Sequence, residues 1–154
     1  MNVLIVYGTQ FGTTEHLARV IGAAIEPTNS VQITAAERAH ELTGHGIDLL
    51  IVGAPTQVFG RRLLVRSFLR GLGEQGFAGM DCAAFDTRMG TPEQGNASEA
   101  EVIADQLVAA GCRLVVPPES FIVTGFKGPL ADGEEDRART WALSIVERRT
   151  AAAV

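Results

Sequence analysis

Four short apolar runs, each closed by turn residues, punctuate the chain: Val3 to Tyr7, Leu49 to Val52, Cys82 to Phe85 and Arg113 to Val116. Runs of this length without polar alternation are the signature of strands buried on both faces. Val31 to Thr34 is a weaker fifth strand. Between them the apolar positions change to helical spacing. Leu17, Val20, Ile21 and Ala24 fall at i, i+3, i+4 and i+7, and Val65, Phe68, Leu69 and Leu72 repeat that interval. Each set makes one core-facing stripe. Ile103, Leu107 and Ala110 form a shorter stripe, and Ala138, Trp141, Ala142 and Ile145 mark a last helix. That helix has Glu134, Glu135 and Asp136 at its start and Arg148 and Arg149 at its end, which suits the helix dipole.

Alternating strands and helices predict an α/β fold, a doubly wound five-stranded parallel sheet of order 2-1-3-4-5 with helices on both faces. Pro117 and Pro118 cannot donate ladder hydrogen bonds, so the fifth strand should break there before Phe121-Ile122-Val123 resumes it near the sheet edge. One domain over residues 1–150 and a short tail at 151–154 are expected. In such sheets the ligand crevice lies beyond the carboxyl ends of strands one, three and four. The loops that carry chemistry are therefore the ones after those strands.

The first of them, Gly8-Thr9-Gln10-Phe11-Gly12-Thr13-Thr14, runs straight into a helix. Amides at a helix start lack intrahelical partners and carry partial positive charge, so they bind a phosphate without a cation. The hydroxyls of Thr9, Thr13 and Thr14 can add donors, and no Lys or Arg occurs before Arg19. A Walker loop needs a lysine after its last glycine, and Gln10 interrupts a Gly-x-Gly-x-x-Gly dinucleotide fingerprint. A monophosphate ligand is the better fit. The bland alternative is that the threonines simply cap the helix.

This loop resembles that of the flavodoxin family, Thr/Ser-x-Thr-Gly-x-Thr after an apolar strand. Thr9, Gly12 and Thr14 match, and Phe11 stands at the family's middle threonine and removes one hydroxyl contact. The resemblance extends over nearly the whole chain. It implies a flavodoxin-like fold, FMN as cofactor and redox partner proteins. The loop after strand three, Pro55-Thr56-Gln57-Val58-Phe59-Gly60, matches the family's ring loop, with Phe59 as the stacking aromatic and Gly60 as the flipping glycine. Offset stacking of a planar ring on an aromatic is worth about 1 kcal/mol. The segment after strand four, Asp86 to Asn96, matches the loop that holds the pyrimidine end through backbone groups. There Asp86, Thr87, Arg88 and Gly95 are the candidate contacts. The family's second stacking tyrosine is missing, because no aromatic lies between Phe85 and Phe121, and Met89 or a partner protein is the expected cover. Arg88 either reaches flavin N1 and O2, where it would raise the second reduction potential by stabilising the anionic hydroquinone, or is a solvated loop arginine or one paired to Asp86.

Composition and charge narrow the rest. A net charge of -5 disfavours nucleic acid and anionic membranes while permitting docking on basic protein surfaces. No apolar run approaches the ~20 residues that span a bilayer, and no leader-like segment is evident, so a cytoplasmic protein is expected. Cys82 and Cys112, and His16, His40 and His45, show no metal-ligand spacing. Ser67, Ser98 and Ser120 lack a Gly-x-Ser-x-Gly elbow, and the carboxylates a response regulator needs after strands one and three are replaced by Gly8 and Gly53. The preferred function is a flavodoxin-like electron-transfer protein. Its rivals are an FMN-dependent oxidoreductase similar to the flavodoxin-like protoporphyrinogen oxidases, with Arg61, Arg62 and Arg66 attracting substrate carboxylates, and a flavin-free interaction module.

Overall fold

A computed structural model describes residues 1–57, 59–90 and 98–152. Its strands are β1 (Asn2–Tyr7), β2 (Ser30–Ala35), β3 (Leu49–Pro55), β4 (Asp81–Arg88), β5 (Arg113–Leu114) and β6 (Glu119–Ile122). The helices are α1 (Thr13–Ile25), α2 (Phe59–Arg70), α3 (Glu99–Ala109) and α4 (Glu134–Ala152). All strand pairs are parallel, in the order β2-β1-β3-β4-β5, with β6 also pairing β4. This is the expected doubly wound topology.

Period-two alternation sends successive side chains of each strand to opposite faces, and both faces are covered. Val3, Ile5 and Tyr7 of β1 join Leu17, Ile21, Ala138, Trp141 and Ile145 on the α1/α4 side. Leu4 and Val6 join Val65, Phe68, Leu72, Ile103 and Leu107 on the α2/α3 side. The helical stripes thus cover the faces their spacing demands.

Two strand boundaries differ from the sequence pattern. Strand four was expected to stop at Phe85, where the apolar run stops, yet β4 continues to Arg88 because β3 pairs with it through Pro55↔Thr87 and β6 through Arg88↔Ile122. The polar residues Asp86, Thr87 and Arg88 are buried there, at 0%, 3% and 3% exposure. Next, the fifth strand splits at its prolines: β5 pairs Asp81 and Cys82, and β6 resumes opposite Phe85. Val123 leaves the parallel ladder for an antiparallel bridge with Leu130. The last helix, α4, runs to Ala152.

Charge secures the helices at both ends of the sheet. Glu134 accepts from the Ile122 amide at 2.7 Å and pairs with Arg137, which also binds Glu119. At the opposite end of the strands, Asp81 at the start of β4 receives Arg113 at 2.7 Å and Arg149 of α4. No described helix is long and apolar enough to cross a membrane.

Candidate functional site

The phosphate-type loop lies where β1 ends. Gly8 is anchored by its amide on the Gly53 carbonyl at 3.0 Å, so the loop leaves the sheet beside β3. The Gly12 amide donates to Thr9 Oγ1 at 2.9 Å, which closes the loop into a turn. Gly12 itself has φ +92°, a left-handed conformation that glycine adopts without a Cβ penalty.

The three hydroxyls do not cap α1. Thr9 is used on Gly12, Thr13 Oγ1 donates to the Lys127 carbonyl at 3.4 Å, and Thr14 shares a 2.8 Å bond with Thr87. No described side chain takes the first-turn amides of this helix. The start of α3 is treated oppositely. Ser98 Oγ accepts from Glu101, Thr56 Oγ1 from Glu99, and Asp86 Oδ2 from Ala100, at 3.2, 3.1 and 3.1 Å. The same chain therefore closes one helix N-terminus with side chains and leaves another open at the mouth of the sheet. An uncapped, positively polarised terminus behind a left-handed glycine is the arrangement that receives an anion. That excludes simple capping as the work of the three threonines.

The candidate ring loops meet across β3 and β4. Gln57 is clasped to the Met89 backbone, donating to its carbonyl and accepting from its amide, both at 3.0 Å. A narrow cleft of about 20 Å³ lies beside this clasp, lined by Thr9, Phe11, Thr14, Pro55, Met89 and Phe126 among others. Gln10, Thr13, Gln57 and Thr87 also face it. Of the predicted contacts, Thr9, Gln10, Phe11, Thr13, Thr14, Pro55, Gln57 and Thr87 are thus brought together, with Gly12 beside them on a second cavity.

Other predicted contacts are placed elsewhere. Asp86 and Thr56 turn to the α3 side, where Thr56 donates to Asp86 at 2.5 Å. Burial pushes the Asp86 carboxyl up, against the Thr56 and Ser120 hydroxyls, the Ala100 amide and the Arg88 charge. Strand alternation sets Arg88 on the Asp86 face, where it is buried, so its guanidinium does not line the cleft. Phe59 and Gly60 do not end a loop but open α2, so Gly60 sits in helical backbone and not at a freely flipping turn. Val58 and Gly95 lie outside the described residues.

The basic cluster is engaged within the chain. Arg66 grips Glu99 through two bonds of 2.9 and 2.7 Å, Arg62 lies 3.9 Å from the same carboxylate, and Arg61 donates to Gln10 at 2.8 Å. The Glu99 side chain is only 1% exposed, so removing its main partner leaves a carboxylate desolvated. Arg66→Met should lower the unfolding free energy by about 2 kcal/mol in urea titrations. Adding Glu99→Gln should restore part of the loss, and an unchanged midpoint in the single variant would refute this role.

Two residues absent from the sequence-based site join it from the turn after β6. Phe126 is 60% exposed at the rim of the cleft. Lys127 stands over the Phe11 ring, its ammonium 5.7 Å from the centroid. Together with Gly12, Thr13, His16 and Arg139 it lines a second, open cavity of about 680 Å³ between the phosphate-type loop and the start of α4. There His16 hydrogen-bonds Glu135, and this imidazole holds the Glu135 carboxyl below its ordinary range. Among the described residues no cluster of His, Cys, Asp and Glu is placed to hold a metal.

Fold and loop geometry define a flavodoxin-fold protein whose loop after the first strand leads, through left-handed Gly12, into a helix start without a side-chain cap. A flavodoxin from the domain Archaea superposes with a TM-score of 0.76 at 23% identity, over 96% of this chain and 98% of that one. Oxidised flavodoxin 2 from Bacillus cereus gives 0.75 at 20% identity, over 96% and 99%. Rubredoxin oxygen:oxidoreductase from Desulfovibrio gigas gives 0.73 at 19% identity over 99% of this chain, which corresponds to 37% of that longer one. No family model and no curated protein sequence matches the chain.

Proposed function

We propose that this chain binds FMN noncovalently and serves as an electron carrier between redox partner proteins. The observation that carries the reading is the open N-terminus of α1 behind Gly12, facing outward while nearby threonine hydroxyls are used elsewhere. A phosphomonoester dianion suits those amides. The residues present fit the rest of the cofactor on one condition: a cleft of about 20 Å³ admits the flavin ring only when the Gln57–Met89 clasp opens. Pro55, Met89 and Phe126 would then border the ring, and Phe126 offers the second aromatic that the segment after β4 lacks.

When bound, FMN supplies reversible one- and two-electron chemistry, and the protein contributes position and electrostatics. The Thr14–Thr87 bond ties the phosphate-type loop to β4, and Thr56 with Asp86 fixes the start of α3. These groups hold geometry and move no proton of a substrate. The substrate-oxidising alternative loses its basic cluster, since Arg66 and Arg62 face Glu99 and Arg61 faces Gln10. The open 680 Å³ cavity next to the loop is the feature that keeps an enzyme reading in play.

Titrating flavin-stripped protein with FMN tests the proposal. One equivalent should bind, quench flavin fluorescence and yield a yellow protein reducible by dithionite, with no turnover of small organic substrates in the absence of a protein partner. A colourless protein that FMN cannot reconstitute would overturn it in favour of a flavin-free module.

A further inference from the structure

Lys127 is the only lysine in the chain, and its position is specific. It sits in a turn bounded by Gly125 and Gly128, more than a hundred residues from the phosphate-type loop, yet two contacts dock it there. Its carbonyl receives the Thr13 hydroxyl at 3.4 Å, and its ammonium stands 5.7 Å above the Phe11 ring. The packing is close: a Cβ at Gly128 would come within 2.5 Å of Thr13 Oγ1. Several arginines are neutralised by carboxylates, Arg66 by Glu99, Arg113 and Arg149 by Asp81, Arg137 by Glu134. No described carboxylate pairs with Lys127, whose ammonium lies over the Phe11 ring.

Phe11 gives that placement its meaning. Where the resembling loops carry a hydroxyl, this chain carries an aromatic, which cannot donate to a phosphate but can seat a cation on its face. We infer that Lys127 completes the phosphate site: the Phe11 ring holds its ammonium beside the open amides of α1, and it binds the phosphomonoester dianion of FMN in place of the missing hydroxyl. The inference rests on the FMN reading and adds a cation to a site expected from sequence to work without one. Its flexible stem lets the ammonium leave the ring for a dianion, since a charge-assisted bond to phosphate is stronger than a half-exposed cation–π contact.

Riboflavin, which has the same ring and no phosphate, isolates the contact. Dissociation constants for FMN and riboflavin should be measured on wild type, Lys127→Gln and Lys127→Arg by fluorescence quenching at several salt concentrations. Lys127→Gln should weaken FMN by about tenfold and leave riboflavin unchanged, while Lys127→Arg keeps most of the affinity. The dependence of FMN binding on salt should also flatten in Lys127→Gln, because one screened charge pair is lost. If wild type binds FMN and Lys127→Gln weakens both flavins equally, or neither, the ammonium makes no phosphate contact and the inference is overturned. If wild type binds no FMN, the functional reading itself falls.

Discussion

Phe85→Ala should cost about 4 kcal/mol of stability, the largest single-residue loss expected outside the backbone. Phe85 is fully buried on β4 and meets Phe121 and Trp141 edge to face, with centroids 6.3 and 5.9 Å away. Phe121 and Trp141 close the triangle at 5.7 Å, so one cluster joins β4, β6 and α4. The space for this ring is made by Gly53 of β3, where a Cβ would come within 2.1 to 2.4 Å of three Phe85 ring atoms. Truncation opens a cavity between strand and helix that rigid neighbours fill only in part. Guanidinium unfolding would show the midpoint fall with little change in slope, and a loss under 1 kcal/mol would contradict this account of the core. Because Thr87 lies two residues further along β4, its bond to Thr14 should loosen as well.

The largest functional effect is expected from Gly12→Val. Glycine holds φ +92° there, and a β-branched residue in that region strains the turn. No heavy atom lies within 4 Å of a Cβ built at Gly12, so the harm comes from backbone conformation and not from a clash. Relaxing that strain rotates the amides that open α1. The FMN dissociation constant should rise by about a hundredfold, while the thermal midpoint falls only modestly. Gly12→Asn, which tolerates the left-handed region better, should give a smaller loss. Equal affinity in Gly12→Val and wild type would show that this turn does not shape the ligand site.

The helical stripes and the break at Pro117-Pro118 were readable from periodicity and turn chemistry, because burial on two faces demands apolar runs and helices demand stripes, and the sheet order followed from the order common to doubly wound sheets of this size. The phosphate-type loop was readable for a related reason: amides, glycine and hydroxyls that act together lie within one short segment. Strand boundaries failed where polar residues are buried by partners remote in sequence. Asp86 is buried within a strand, where the Thr56 hydroxyl and the Ala100 amide both bond its Oδ2, and its polarity alone had suggested a loop.

Local sequence settled which segments fold into strands and helices and which loop carries the glycine turn that opens α1, since both depend on neighbours a few residues apart. Tertiary packing alone decided that Asp86 and Arg88 turn away from the cleft, that Arg66 is claimed by Glu99, and that Phe126 and Lys127 arrive at the mouth from the turn after β6. The reason is physical: strand alternation and long-range pairing assign each side chain its face and its partner, and neither is encoded in the residues beside it.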